Sequence, residues 1–424
     1  MSRIGVIKLY IFLLSISLFV ACGKEESLDE DYNKAVVTVG RAMSRLTQIK
    51  ASDLGATIRY VPLETTKQSE LGALPRVKLT NDYLFVLSRG ENLKMFDRKT
   101  GKYIRTIGSL NDSLTAYNNL YKMLSCWIDE SSQTIYFEGH SGELVQYNFQ
   151  GEFQRNFELP DSVHADNTEL IYYNIRQDTI DAYSRSRISY RPRRLYRTMS
   201  DGTVKRAYLT KYNPPPAGWK RRAEYDEVVL GTYTKFGGHF RRIGYDKRSF
   251  YFIKDTPMLW TFDGYTRFKE DFVNTIYNVT NEGLQPYLTF DLGKWDWPFD
   301  ERYLIHLCVH RLAVDYVLEG DETVYFHFHE GLYGYGTYRK AFCGVYDKRT
   351  GYTKAMRGDS IRNDITHLMP FVIQGSANGA YCAVIEAWEV KDWMERNKDM
   401  IDSQAKKLFK GLKEHDNPIV VIIE

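Results

Sequence analysis

The strongest constraint on this chain is a motif that returns at a fixed interval. Leu93-Lys94-Met95-Phe96-Asp97-Arg98-Lys99-Thr100-Gly101-Lys102-Tyr103-Ile104 reads as strand, polar turn, strand. Leu144 through Phe153 repeats it 51 residues later, and Leu195 through Val204 repeats it after 51 more. Two further copies run from Ile276 to Leu284 and from Phe342 to Tyr352. Each carries a Gly in its turn, expected in the left-handed region where glycine meets no steric penalty. A period near 50 with several short strands per unit is the pattern of a β-propeller. One four-stranded sheet cannot bury both its faces, whereas a ring of such sheets stacks face on face and leaves only short edges.

The repeat sets the rest of the reading. Arg76–Leu79 and Tyr83–Leu87 form a hairpin around Asn81-Asp82. A sixth unit comes from Met369–Ile373, Ala380–Ile385 and Pro418–Ile423, and the early strand Ile58–Leu63 is predicted to join it and close the ring. The expected fold class is all-β, a propeller of six blades with a helical insertion near the C-terminus. The fourth repeat is stretched, which leaves room for a seventh blade. Residues 211–242 are one insertion, with Pro214-Pro215-Pro216 and the basic run Lys220-Arg221-Arg222, read as a solvated loop. Residues 386–416 are the helical one: Trp388, Val390, Trp393, Met394, Ile401, Ala405, Leu408, Phe409 and Leu412 recur at helical spacing, a stripe expected to pack on the protein's own body. The 32 Tyr, 22 Phe and 7 Trp suit half-buried strands before any ligand is invoked.

The N-terminus is of another kind. Arg3 and Lys8 precede an apolar run from Leu9 to Val20, too short for a permanent membrane span and right for a signal peptide. Phe19-Val20-Ala21-Cys22 resembles the lipobox of bacterial lipoproteins, with Phe where Leu is usual. Ala21 lets the peptidase reach the bond and Cys22 takes the lipid, giving stable membrane attachment once several acyl chains are present. The following Lys24-Glu25-Glu26 resembles the surface-export signal of lipoproteins from glycan-foraging bacteria. Residues 1–21 are therefore expected as signal peptide, 22–50 as a lipidated tether and 51–424 as one propeller domain. Loss of Arg3 and Lys8 lowers the net charge from +3 to +1, which argues against nucleic acid as a partner. The remaining Cys126, Cys308, Cys343 and Cys382 show no CxxC spacing and are read as buried core thiols.

Candidate sites are few. Trp295-Asp296-Trp297-Pro298 is the candidate ligand platform, because indole faces of Trp295 and Trp297 suit the C–H surface of a sugar. His306 and His310, then His327 and His329 beside Glu330, have spacings a metal could use, but no third ligand is identifiable. His327 and His329 are read as surface residues opposite a buried face of Val324, Phe326 and Phe328, and no metal or cofactor is assigned. No P-loop, dinucleotide fingerprint or Ser/His/Asp order is present.

Ser52-Asp53-Leu54 with Tyr60-Val61-Pro62-Leu63-Glu64-Thr65-Thr66 resembles the opening strand of the six-bladed β-propeller family of exported bacterial lipoproteins of unknown function. Phe96-Asp97-Arg98 through Ile107-Gly108, Asn274-Thr275-Ile276-Tyr277 and Asn417-Pro418-Ile419-Val420-Val421 are similar to the same family, so the resemblance covers nearly everything after residue 50. Its Gly-Pro-Gly-Glu-Tyr-like loop is replaced here by Gly108-Ser109-Leu110-Asn111-Asp112-Ser113, with Tyr117 retained, so the ligand preference of that loop is not carried over. The resemblance implies an outer-membrane lipoprotein, on the cell surface or the periplasmic face. The expected role is a non-enzymatic module binding a ligand or an envelope protein, with a glycan as one ligand. The alternative is a calcium-dependent lactonase- or lyase-like enzyme, whose ligands would be dispersed carboxylates meeting near the axis.

Overall fold

The computed structural model describes residues 35–424 apart from 74, 89–90, 109–125, 140–142, 165–167, 187–193, 212–224, 230–240, 245–258, 271, 302–309, 332–339, 400 and 402. Six small antiparallel sheets form the blades of a six-bladed propeller. Blade 1 is Arg76–Leu79, Tyr83–Leu87, Leu93–Asp97 and Tyr103–Ile107. Blade 2 is Cys126–Asp129, Thr134–Glu138, Leu144–Asn148 and Phe153–Phe157. Blade 3 is Thr168–Arg176, Thr179–Ser186, Arg194–Met199 and Val204–Tyr208. Blade 4 is Leu259–Phe262, Tyr265–Lys269, Thr275–Val279 and Leu284–Phe290. Blade 5 is Leu312–Glu319, Thr323–Glu330, Lys340–Asp347 and Thr353–Arg357. Blade 6 is Ile373–Ala377, Ala380–Ile385, Ile419–Ile423 and, from the other end of the chain, Ile58–Pro62. The first strand of each blade lies innermost.

Strand alternation explains why the middle strands are apolar throughout. In Tyr83–Leu87, Phe85 and Leu87 enter the core shared with blade 2, while Leu84 and Val86 enter the core shared with blade 6. In Ile419–Ile423, residues 419, 421 and 423 face blade 5, and 420 and 422 face blade 1. A strand buried on both faces loses the apolar–polar alternation of a half-exposed one. Among the described residues, a cluster of buried side chains marks each blade-to-blade interface. The fourth strands lie outermost: Phe153–Phe157 is largely exposed.

The predicted closure is present. Ile58–Pro62 pairs antiparallel with Ile419–Ile423, from Ile58 opposite Ile423 to Pro62 opposite Ile419. Residues 35–50, expected as part of a tether, pack with 51–57 on the outside of three blades as a strap. Ala35–Val37 adds a parallel strand to the outer edge of blade 4, from Ala35 opposite Leu288. The helix Val39–Met43 follows, and the Thr47 amide then bonds the Ala355 carbonyl of blade 5 at 2.8 Å. Ser52 Oγ donates to Asp364 at 2.7 Å before the chain enters blade 6. Val37, Val39, Ile49 and Ala51 are fully buried beneath the strap. Their spacing matches neither a clean helix nor a clean strand, so the segment looked like a linker.

The repeated motif is the hairpin of third and fourth strands in blades 1 to 5. Its turn glycines 101, 151, 202 and 351 have positive φ, but Gly283 does not. There Thr280 Oγ1 accepts from the Glu282 and Gly283 amides, a side-chain turn that needs no left-handed residue. Gly101 is constrained twice, since its φ is +70° and an added Cβ would collide with the Pro62 carbonyl of the closing strand. The insertion at 211–242 contains the strand Tyr225–Val229, paired with Arg241–Gly244, which begins at the insertion's end. Lys220-Arg221-Arg222 and the three prolines lie outside the described residues. The C-terminal insertion is helical over Ala387–Arg396 and Ser403–Leu408, with Ala387, Val390 and Phe409 packed into the blade 5–6 core as expected and Ala405 buried, while Trp388 remains exposed.

Candidate functional site

The six innermost strands surround a central channel of about 430 Å³, lined from Arg76 in blade 1 round to Asn378 in blade 6. Its carboxylates are already engaged. Glu319 of blade 5, 1% exposed in its side chain, receives Arg267 Nε at 3.2 Å and Lys348 Nζ at 3.0 Å. It also accepts from Tyr287 OH at 2.6 Å and Trp260 Nε1 at 3.1 Å. Burial alone would raise its pKa, but the Arg267 and Lys348 charges outweigh that and hold it below the ordinary value. Asp129 accepts from Ser131 and Ser132 hydroxyls, each at 2.6 Å, and from the Gln177 amide. Its burial is likewise outweighed by these bonds, so it too is held low. Glu130 accepts the Asn81 amide at 2.7 Å and Asn378 Nδ2 at 2.9 Å, which ties the rims of blades 1, 2 and 6 together.

Aromatic and neutral polar groups make up much of the remaining lining. Trp127 and Trp260 are half-buried, each leaning into a blade interface. Tyr173 packs edge-on against Trp127 at 4.8 Å. Asn174 Nδ2 reaches Thr261 Oγ1 at 3.0 Å and Thr266 Oγ1 at 3.1 Å. Ser376 Oγ accepts the Glu319 amide at 3.2 Å.

The residues singled out from the sequence lie elsewhere. Trp297 is 2% exposed, edge-on to Phe272 at 5.0 Å, with its N–H on the Glu301 carbonyl at 3.1 Å. At that burial the indole is enclosed by the protein's own residues. Trp295 is half-buried against the blade 4–5 core with Lys294 Nζ 4.6 Å from its ring centroid. Neither tryptophan lines the channel. His327 and His329, expected at the surface, are buried. As the alternation requires, Val324, Phe326 and Phe328 face blade 4. The opposite face is covered too, by blade 6, a layer that a two-faced strand in a ring requires. His327 Nε2 bonds Tyr325 OH at 2.7 Å, and His329 Nδ1 lies 3.2 Å from Asp315. His310 is exposed, 3.4 Å from Glu330. His306, Cys308, Tyr117, Ala21 and Cys22 lie outside the described residues. Among the described residues no group of three His, Cys, Asp or Glu could hold a metal, and no helix is long and apolar enough to cross a membrane.

Cys126, Cys343 and Cys382 are buried, as expected of core cysteines. Burial pushes Cys343 and Cys382 up to about 12. Their folded pKa lies above the unfolded value of about 8.5, so the stability they contribute is complete below that pH and is lost as pH rises toward 12. The expected slope is about 1.4 kcal/mol per pH unit per thiol. Cys382→Ala is therefore expected to flatten the fall of stability between pH 9 and 10 by about that slope, read as urea midpoints. An unchanged slope would place Cys382 in contact with water.

Fold and channel together define a six-bladed β-propeller with a lined axial cavity. The chain belongs to the family described as a domain of unknown function, DUF4934, which matches residues 34–424. No curated protein is significantly similar to it. The crystal structure of a protein described as exported, from Bacteroides fragilis NCTC 9343, is 16% identical, covers 92% of this chain and 98% of its own, and has a TM-score of 0.59. At that identity it shares the fold. The RRP9 WD40 repeats are 10% identical with a TM-score of 0.37, covering 89% of this chain and 99% of their own. At that TM-score the likeness says nothing about this chain.

The channel residues were not found from sequence because the first strands have no fixed offset. They begin 16 to 18 residues before the third strand in blades 1, 2 and 4, but 26 and 28 before it in blades 3 and 5. The usable signal was the apolar second strand, from which the first could have been placed one turn upstream.

Proposed function

We propose that this protein is an exported binding module of the bacterial envelope, held at the outer membrane by lipid on Cys22 after cleavage beyond Ala21. It takes a small ligand in or over the channel, or an envelope protein on the surrounding rim. The observation that carries the binding reading is the state of the channel carboxylates. Glu319, Asp129 and Glu130 are each committed to protein donors, so the cavity offers a preformed surface in place of converging charges for a calcium ion. The lipobox-like residues before Cys22 support the anchor, and the similarity to a protein described as exported supports the compartment.

The anchor is tested in cells fed a clickable fatty acid. The chain is expected to take label and to fractionate with membranes, and Cys22→Ala to lose the label and leave the membrane fraction. A labelled or membrane-bound variant would sink the anchor. Turnover is tested on the purified chain against a lactone and glycan panel with and without calcium. Calcium-dependent product release would overturn the binding reading in favour of a lactonase- or lyase-like enzyme.

A further inference from the structure

The positive charge of the chain is concentrated in one stretch. Residues 185–248 hold 17 Lys and Arg against 5 Asp and Glu, which leaves 40 against 49 for the rest. The nearly neutral total therefore conceals a strongly cationic segment on an otherwise acidic protein. Its described part includes the two outer strands of blade 3, Arg194–Met199 and Val204–Tyr208. Arg194, Lys205, Arg206 and, just beyond, Lys211 are exposed. Arg194 Nη1 donates to Tyr196 OH at 3.0 Å, and Arg206 donates to the Asn281 and Glu282 carbonyls. Lys211 Nζ lies 4.8 Å from the Phe299 ring centroid. These partners are neutral groups, so they hold the side chains without cancelling a charge. Arg197 differs, being paired with Asp181 at 2.8 Å. Beside the cations, Leu209 is 75% exposed.

The place where the chain enters the propeller indicates what covers this side. Ala35–Val37 lies on the outer edge of blade 4, next to blade 3, and runs parallel to Leu284–Phe290. Its entry end therefore points toward the hairpin Thr280–Gly283, whose carbonyls at Asn281 and Glu282 hold Arg206. The 12 residues from Gly23 to Lys34 span at most about 40 Å when fully extended.

We propose that the outer side of blade 3 is a membrane-docking face for anionic phospholipid head groups. Arg194, Lys205, Arg206 and Lys211 meet the phosphates, and Leu209 enters the boundary with the acyl chains, as an apolar side chain among cations does at a bilayer surface. The inference rests on the lipid at Cys22, whose short tether keeps this side of the ring within reach of the bilayer. It stands the propeller on its edge, so that the channel axis runs along the membrane and neither mouth is closed by it.

The test uses the mature chain, residues 22–424, with Cys22→Ala so that no lipid is attached. It is pelleted with vesicles of phosphatidylcholine alone, and of phosphatidylcholine with about a third phosphatidylglycerol, at low and at high salt. Binding is expected to the anionic vesicles alone and is expected to weaken at high salt. Arg194→Ala combined with Lys205→Ala is expected to weaken it about twentyfold, since each cation near such a surface is worth about fivefold. Lys99→Ala combined with Lys102→Ala, between the third and fourth strands of blade 1, is expected to change nothing. Leu209→Ser is expected to weaken vesicle binding about threefold and to leave any binding to soluble dextran sulfate unchanged. No pelleting with anionic vesicles, or an equal loss in both double variants, would overturn the inference. Binding to dextran sulfate without binding to vesicles would overturn it in favour of an acidic polymer. The anchor is read separately: fatty-acid label on Cys22 without vesicle binding brings down the docking face alone, and vesicle binding without label brings down the anchor alone.

Discussion

A chain lacking residues 35–63 is expected to show no cooperative unfolding transition. The deletion removes the fourth strand of blade 6 and leaves Ile419–Ile423 as an unpaired edge. Val61 and Leu63 leave the core between blades 6 and 1, and Val37, Val39 and Ile49 leave the cores under the strap. At about 2 kcal/mol for each buried aliphatic side chain, the loss is on the order of 10 kcal/mol. Whole domains are stable by about 5–15 kcal/mol, so little is left. Circular dichroism with a urea titration checks this. A point variant isolates the closing strand: Val61→Asp places a carboxylate in an apolar interface and is expected to cost about 4 kcal/mol. A deleted chain melting at the parent temperature would mean that the ring closes by another pairing.

Glu319→Ala is expected to destabilise by about 3–5 kcal/mol, because breaking a buried ion pair leaves the partner charge uncompensated. Four donors lose their acceptor at once: Arg267, Lys348, Tyr287 and Trp260. Arg267 also stacks 3.8 Å from the Tyr287 ring centroid, so the disturbance spreads through the outer strand of blade 4. Glu319→Gln keeps an acceptor and is expected to cost less than half as much. Pairing Glu319→Ala with Arg267→Met removes the more deeply buried of the two orphaned charges, leaving Lys348, and is expected to recover part of the loss. Urea midpoints of the three variants decide, and a Glu319→Ala cost below about 1 kcal/mol would show the carboxylate to be solvated.

Much of the fold was legible because a ring of repeats writes itself into the sequence. The five hairpins, the closing strand and the C-terminal helices depend on local patterns: alternation, turn glycines and helical spacing. The strap was not legible, since its buried residues are set by the outer edges of blades 4 and 5, which lie hundreds of positions away. The histidines show the same limit. His327 and His329 share a face as the alternation requires, but only the neighbouring blade determines that this face is closed.

The candidate site divides in the same way. Trp295 and Trp297 stood out because two indoles flank one aspartate, yet Phe272 and Glu301 take up Trp297. Trp127, Trp260 and Glu319, which line the channel, belong to three different blades and share no motif. The sequence by itself determined the repeating hairpin and the helical spacing of the C-terminal insertion, because each follows from residues near one another along the chain, whereas the count of six blades came only with the assembled sheets. Tertiary structure alone decided which polar groups meet at the axis and how their carboxylates are satisfied there. That depends on how six strands, each with its own offset and bulges, are brought round a common centre.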